Sequence, residues 1–446
     1  MSELLTIAAR IAELAQPGEQ VEAYVARGVE TAVRVYEGEV EHLTSAQSEG
    51  VGIRVIRDGR VGFSYAGTLD DESVKEALAD ARDNSSFGTP DEFAALAEPD
   101  GVVAPELTLW RDELEGFSAE DKVALAKELE KLALAGDKRV RVDDANFADV
   151  LGEEAVATST GIRASARATA CYVAVSTLAD ENGETQTGWG YSVGRSPSDL
   201  DLSVAAGDAV RRATEALGAK KPASRKVTVV LDPIVTASFL GIVGSTLNAE
   251  SVLKGRSLFA NRIGELVASP LVTFVDDATN PLAYTATEVD GEGLAARRTP
   301  LIQAGVLQGF VHSSYSARRM GTKSTGNAVR GGFKGTPGCG CLAVALAPGT
   351  ATQDELIAGI DDGVLIRMVQ GLHSGVNPVS GDFSTGASGR VIRGGELAEP
   401  IREFTIASTL QRMLLDIQSV GGDVQWLPST AAGLSLVITD VTMSGA

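Results

Sequence analysis

Apolar positions along this chain change period several times, and each change marks an element. Near the start, Leu4, Ile7, Ala8, Ile11 and Leu14 share one stripe of a 3.6-residue repeat, with Glu3, Arg10 and Glu13 elsewhere, until Pro17-Gly18 ends the pattern. The spacing predicts an amphipathic helix. From Val29 the period drops to two: Val29, Thr31, Val33 and Val35 alternate with Glu30 and Arg34, as in a half-buried strand. "VGIRVI" and "VGFSYA" continue in the same way, joined through Asp58-Gly59, a pair suited to a tight hairpin. Helical spacing returns over 70–84, where Val74, Ala77, Leu78 and Ala81 fall on one side. Helix, strands and helix make a small α+β unit over 1–88.

Residues 89–110 are rich in turn formers and show no period, which predicts a linker. A second α+β unit follows over 111–218. Ser118 opens a helix bearing Val123, Leu125, Leu129 and Leu132, with Asp121 placed as in a capping box and Gly136 at its end. The segments "VRVDDANFADV", "EEAVATST", "GIRASARATACYVAVSTLA" and "ETQTGWGYSVG" read as strands, with Thr160-Gly161 and Asn182-Gly183 as turns, and a helix over 201–217 closes the unit. The remainder, 225–446, is strand-rich and glycine-rich, with helical spacing over 233–249, 353–363 and 404–419. The fold class expected is therefore α+β: two small N-terminal α+β domains and a large strand-rich C-terminal domain with packed helices.

Charge narrows the function. A formal net charge of -21 over 446 residues opposes a phosphate backbone, so no nucleic-acid partner is expected. No stretch reaches the roughly 18 apolar residues of a membrane span, and the start lacks the basic and apolar regions of a signal peptide. Three cysteines form no disulfide framework, so a cytoplasmic location is expected.

Candidate chemistry is sparse. His42, His312 and His373 are the only histidines, and no two share a helix face as a zinc site commonly requires. Cys339-Gly340-Cys341 would put two thiols on one strand face, either as small apolar filling or, with His312 or His373, as a soft-metal site; Cys171 reads as core. Ser251 and Lys254 match S-x-x-K, the serine–lysine pairing of some hydrolases, without its supporting boxes. The stretch 371–389, "GLHSGVNPVSGDFSTGASG", carries five glycines among nineteen residues and predicts a loop of exposed backbone amides, a possible substrate cradle. The helix after Asp232-Pro233 carries Gly241 and Gly244, each costing about 1 kcal/mol relative to alanine, and no metal ligand.

"VVLDP", that helix, "SVLKGRS", "VDDATNP", "DGEGLAARRTPLIQAGVLQGFVHSSYSARRMGTKSTGNAVR", "GLHSGVNPVSGDFSTGASG" and "VGGDVQWLPSTAAGLSLVITDVTMSG" together resemble, in this order, the TldD/PmbA family. The resemblance implies a zinc-dependent peptidase built from two branches, TldD and TldE (PmbA), that trims unfolded peptides. The TldD branch carries H-E-x-x-x-H on the helix after the Asp-Pro pair and a late cysteine. Here those motif positions hold Gly241, Ile242 and Thr246, and Gly371-Leu372-His373-Ser374 near the late position has no thiol. This is the condition of the TldE/PmbA branch. It implies no catalytic residue, metal or other cofactor in this chain and zinc in a TldD-like partner, met in a heterodimer, or else a homodimer. His373, Ser374, Asn377, Asp382 and Ser384 are the candidates for lining a cleft that holds unfolded peptide. The alternatives are a stand-alone peptide-binding or regulatory protein and an enzyme using Ser251/Lys254 or Cys339/Cys341.

Overall fold

The computed structural model describes residues 2–445. The first helix, α1 (Glu3–Ala12), starts where the Ser2 hydroxyl accepts the Leu5 N–H, and its stripe of Leu4, Leu5, Ala8 and Ile11 is buried. Three strands follow, β1 (Glu19–Tyr36), β2 (Glu39–Arg57) and β3 (Arg60–Ala66). The β2–β3 hairpin turns at Asp58 and Gly59, both with positive φ (51° and 70°), as a type I′ turn requires. Helix α2 (Asp71–Phe87) is capped by Asp70, whose carboxylate accepts the N–H groups of Glu72 and Ser73.

Residues 88–111 cross the molecule without regular structure, apart from their anchors on the third domain. The Tyr315 hydroxyl donates to Asp91 at 2.7 Å, and the Arg318 guanidinium donates to the Phe93 carbonyl at 2.8 Å. The second unit then supplies α3 (Ala119–Gly136), β4 (Val140–Thr158), β5 (Arg163–Glu181), β6 (Glu184–Gly194) and α4 (Leu202–Glu215). Ser118 caps α3 as expected.

The two N-terminal units share one antiparallel sheet, in the order β3-β2-β1-β4-β5-β6. Pairing between β1 and β4 runs from Glu22↔Thr158 to Val35↔Ala145. Strands of 18 and 19 residues are long enough to carry two separate cores. Val21, Ala23 and Val25 of β1 pack with α1 and α2, while Val33 and Val35 of the same strand pack with α3 and α4. The segments expected as two strands over 140–158 are one, and Gly152, where the apolar alternation lapses, sits opposite Gly28 in mid-sheet. A strand glycine weakens local packing, but ladder partners on both sides carry the strand through it.

The third domain centres on a mixed six-stranded sheet. Its strands are β7 (Arg225–Leu231), β8 (Asp362–Gln370), β9 (Asp382–Arg393), β10 (Glu396–Thr409), β11 (Ile417–Val420) and β12 (Leu436–Ser444), in the order β10-β9-β8-β7-β12-β11. Only β7 and β8 run parallel. Helix α5 (Pro233–Thr246) follows β7, and Val235, Phe239, Leu240 and Val243 join the domain's large core. Two helical expectations are corrected. The helix expected over 404–419 is only Leu410–Leu415, because Phe404 and Ile406 are buried alternately in β10 and the Thr409 hydroxyl begins the helix by accepting the Arg412 N–H. The helix expected over 353–363 stops at Ala358, since 362–370 enter the sheet as β8.

Candidate functional site

A cleft of about 530 Å³ separates the N-terminal sheet from α5. Tyr172, Trp189 and Tyr191 form one wall, the Ser238–Gly241 side of α5 the opposite one, and 427–431 with Met368 and Leu372 complete it. The aromatic wall follows from strand alternation. On β6, Gly188 and Gly190 lie against α4 so closely that a Cβ would stand 2.1 Å from the Ala209 carbonyl oxygen and 2.0 Å from that of Ala205. With the glycines turned to the helix, Trp189 and Tyr191 must face the other side. Their rings stack at 5.6 Å between centroids, and burial pushes the Tyr191 phenol well above its ordinary range. "GWGY" therefore held the signal: glycine and aromatic alternating at period two mark a strand pressed to a helix on one face and open to a cavity on the other.

Helix α5 is held by its first residue's neighbour. Asp232 is 3% exposed, and its carboxylate accepts the Ile234 N–H at 3.3 Å, Arg367 Nη1 at 2.9 Å and Arg212 Nη2 at 3.5 Å. These contacts tie α4, β8 and α5 together at the rim of the cleft. Of the three positions that the resemblance aligns with the zinc motif, Gly241 alone lines the cleft. Ile242 packs partly buried against the domain core. Thr246 is 1% exposed, and its hydroxyl donates to the Val243 carbonyl at 2.6 Å. Nothing in this chain requires glycine at 241: a Cβ there would find only the Ala431 methyl, 4.0 Å away.

The glycine-rich stretch is less open than its composition suggests. His373 and Ser374 are exposed on a single turn of helix, Leu372–Gly375, and Asn377 closes a turn by accepting the Val379 N–H at 2.9 Å. From Asp382 onward the chain is strand β9, paired with β10 on one side and, from Gly386, with β8 on the other, so those amides are engaged in the ladder. The expected loop over 371–389 is thus confined to 371–381, and even there the Ser374, Gly375, Asn377 and Gly381 N–H groups are bonded to backbone carbonyls. The cause is Phe383, Thr385 and Ala387, buried at alternate positions among the glycines. None of His373, Ser374, Asn377, Asp382 and Ser384 lines the cleft; their neighbour Leu372 does.

The remaining candidates do not assemble. Ser251 donates to the Ser245 carbonyl at 3.3 Å while Lys254 pairs with Glu250 at 2.9 Å. Cys339 Sγ donates to the Val311 carbonyl at 3.2 Å and Cys341 Sγ to that of Gly244 at 3.4 Å. Burial pushes the Cys339 thiol up to about 11 and that of Cys341 well above its ordinary value, so both are protonated donors. His312 is buried, and desolvation holds its imidazole below the usual range and neutral.

Matches to three family models cover most of the chain: PmbA/TldA metallopeptidase domain 1 over 21–85, the central domain over 112–217 and the C-terminal domain over 224–445. The chain belongs to the PmbA/TldD metallopeptidase family. It is 25% identical to the metalloprotease PmbA of Escherichia coli O157:H7 over 449 residues, covering 100% of this chain and 96% of the relative. Against a metalloprotease TldD homolog of Haemophilus influenzae it is 27% identical, covering 89% and 86% of the two chains. The crystal structure of TldE from Thermococcus kodakarensis superposes with a TM-score of 0.89 at 26% identity, covering 96% of this chain and 97% of that one. Within the family the chain falls in the TldE/PmbA branch.

Metallopeptidases of this family name invite a test of the donor set here. Zinc takes nitrogen, thiolate or carboxylate ligands. Gly241, Ile242 and Thr246 supply none, and the two neighbouring thiols spend their protons on backbone carbonyls. Among the described residues no group of three or more His, Cys, Asp or Glu is placed to hold a metal ion. The residues present do not fit zinc. Nor is any helix among them long and apolar enough to cross a membrane.

Proposed function

We propose that this chain is the non-metal, TldE/PmbA-type subunit of a TldD-like zinc peptidase acting on unfolded peptides, and that its cleft forms part of the chamber that receives them. The observation that carries the proposal is Gly241: a helix of the metallopeptidase family presents to the cleft a residue with no side chain, where zinc chemistry would need a ligand. A cleft walled by Tyr172, Trp189 and Tyr191 suits apolar side chains of an extended peptide, and Ser238 is the hydroxyl on the opposite wall. Zinc and the general base are supplied by the partner, a chain bearing H-E-x-x-x-H. The reading places the protein in the cytoplasm, where its unfolded substrates arise.

The test is reconstitution. This chain purified alone is expected to carry no zinc by elemental mass spectrometry and to leave an unfolded peptide intact. Mixed with a TldD-like chain from the same source, it is expected to co-elute in gel filtration and to yield zinc-dependent cleavage. Zinc-dependent cleavage by this chain alone would sink the proposal.

A further inference from the structure

One end of the cleft changes character. Trp189, Arg367 and Met368 are shared with a smaller pocket of about 60 Å³ that Arg212, Arg390 and Arg402 also line. In a chain of net charge -21, four guanidinium groups around one pocket need an account. We propose that this pocket binds a carboxylate of the peptide held in the cleft, either its free C-terminus or an acidic side chain; the proposal rests on the reading of the cleft as a peptide site.

Charge balance is the first support. Asp232 takes Arg367 at 2.9 Å and Arg212 at 3.5 Å, and Glu215 takes Arg367 at 3.5 Å and Arg390 at 3.9 Å. Arg402 is occupied by Glu184 at 3.3 Å and by the exposed Glu403 at 3.6 Å, and Arg211, which also reaches Glu215 at 3.8 Å, has Asp208 at 2.8 Å. Of the less exposed groups, Arg212, Arg367 and Arg390 thus meet two carboxylates, a local excess of one positive charge that a monoanion would balance.

Unmet donors are the second. Arg212 Nε and Nη1 and Arg367 Nε are buried with no hydrogen-bond partner among the described residues. Buried donors are rarely left so, and a guanidinium fork matches the two oxygens of a carboxylate. The Trp189 ring centroid lies 5.2 Å from the Arg212 guanidinium carbon, so the ring packs against that fork. Size is the third: a volume of about 60 Å³ admits a carboxylate group.

Three dye-labelled unstructured peptides of one sequence test this by fluorescence anisotropy on the full-length chain: a free acid, its C-terminal amide, and the amide with one internal glutamate. The acid, the glutamate peptide or both should bind on the order of tenfold or more tightly than the plain amide. Tighter binding of the acid alone assigns the C-terminal carboxylate; tighter binding of the glutamate peptide assigns a side chain. In Arg212→Gln the ratio of acid or glutamate-peptide affinity to plain-amide affinity should fall to about one, whatever the change in affinity for the amide itself. Equal binding of all three by the unaltered chain would overturn the carboxylate pocket and leave the peptide cleft standing. A difference that persists in Arg212→Gln would also overturn it, and no binding of any peptide would overturn the cleft reading and the pocket with it.

Discussion

Glu22, in the first strand, and Arg330, in the third domain, form a buried ion pair at 2.6 Å across 308 residues of sequence. The other Glu22 oxygen takes Arg54 of β2 at 2.7 Å, and Arg54 reaches Glu292 at 3.6 Å. Arg330 also lies over the Tyr24 ring, 4.6 Å from its centroid. This network couples the shared N-terminal sheet to the C-terminal domain directly, alongside the linker's anchors at Asp91 and Phe93. Removing the carboxylate leaves two buried guanidinium groups without it, so Glu22→Gln is expected to cost about 3–5 kcal/mol. Urea unfolding reads this as a lowered midpoint, and a loss under about 1 kcal/mol would mean the pair is dispensable.

The same residue sets part of the acid limb of stability. Burial pushes the Glu22 carboxyl up, but Arg54 and Arg330 together outweigh it and hold the group below its ordinary range. A carboxyl depressed in the folded state contributes stability that is present above the unfolded value, about 4.3, and is lost as pH falls through the lower folded one. The urea midpoint of the unaltered chain should therefore fall more steeply from pH 5 to pH 3 than that of Glu22→Gln. Parallel curves would show that Glu22 is not the titrating group.

Much of the fold was legible because its periods are clean: α1, the β2–β3 hairpin at Asp58-Gly59 and the Ser118 cap are local features set by local residues. What escaped was non-local. The long β1–β4 pairing that merges two units into one sheet leaves no mark on either strand alone, and a glycine at 152 looks like an end when it is the middle of a strand. Phe404 and Ile406 fit a helix and a strand about equally until β9 supplies the ladder. For the site, the Asp232-Pro233 helix and its missing ligands stood out, whereas Trp189, Tyr191, Arg212 and Arg367 converge only in three dimensions. The glycine-rich stretch drew the site residues away from the cleft because composition signals a loop and says nothing of which neighbours will pair with it.

Glycines on two elements should respond in opposite ways. At 188 and 190 a Cβ would collide with α4 backbone oxygens at 2.1 and 2.0 Å, so Gly188→Ala or Gly190→Ala must push the helix off the sheet and cost roughly 1–3 kcal/mol. At 241 the nearest atom is 4.0 Å away, so Gly241→Ala should gain about 1 kcal/mol from helix propensity alone. Thermal melts of the three variants read both signs. A destabilised Gly241→Ala would place a packing duty on that glycine that its surroundings do not show.

Thiol reactivity checks the cysteine assignments. Burial raises Cys171 to about 12 and Cys339 to about 11, with Cys341 well above its ordinary value. Since the thiolate is the reactive form, an aromatic disulfide reagent at pH 8 should titrate essentially none of the three in the folded chain and all three in guanidinium. Rapid reaction of Cys339 or Cys341 in the folded protein would return that pair to consideration as a nucleophile or metal ligand.

Restoring the missing motif should not restore the metal. Near the place of the late cysteine that the resemblance assigns to the zinc site, Gly371-Leu372-His373-Ser374 offers no thiol. The surroundings of the two motif positions differ as well, since Gly241 opens to the cleft and Thr246 is 1% exposed in the core. An imidazole at 246 would have to displace core atoms, and the nearby Cys341 thiol is turned to the Gly244 carbonyl at 3.4 Å rather than to the cleft. Gly241→His combined with Ile242→Glu and Thr246→His is therefore expected to lower the melting temperature, to bind less than a tenth of an equivalent of zinc after gel filtration, and to cleave no peptide. A single Gly241→His should fold, because its side chain points into open space, and also remain metal-free. About one zinc per chain in the triple variant would mean that this helix needs only its ligands to become a metal site, and that the division of labour between the two branches rests on three residues.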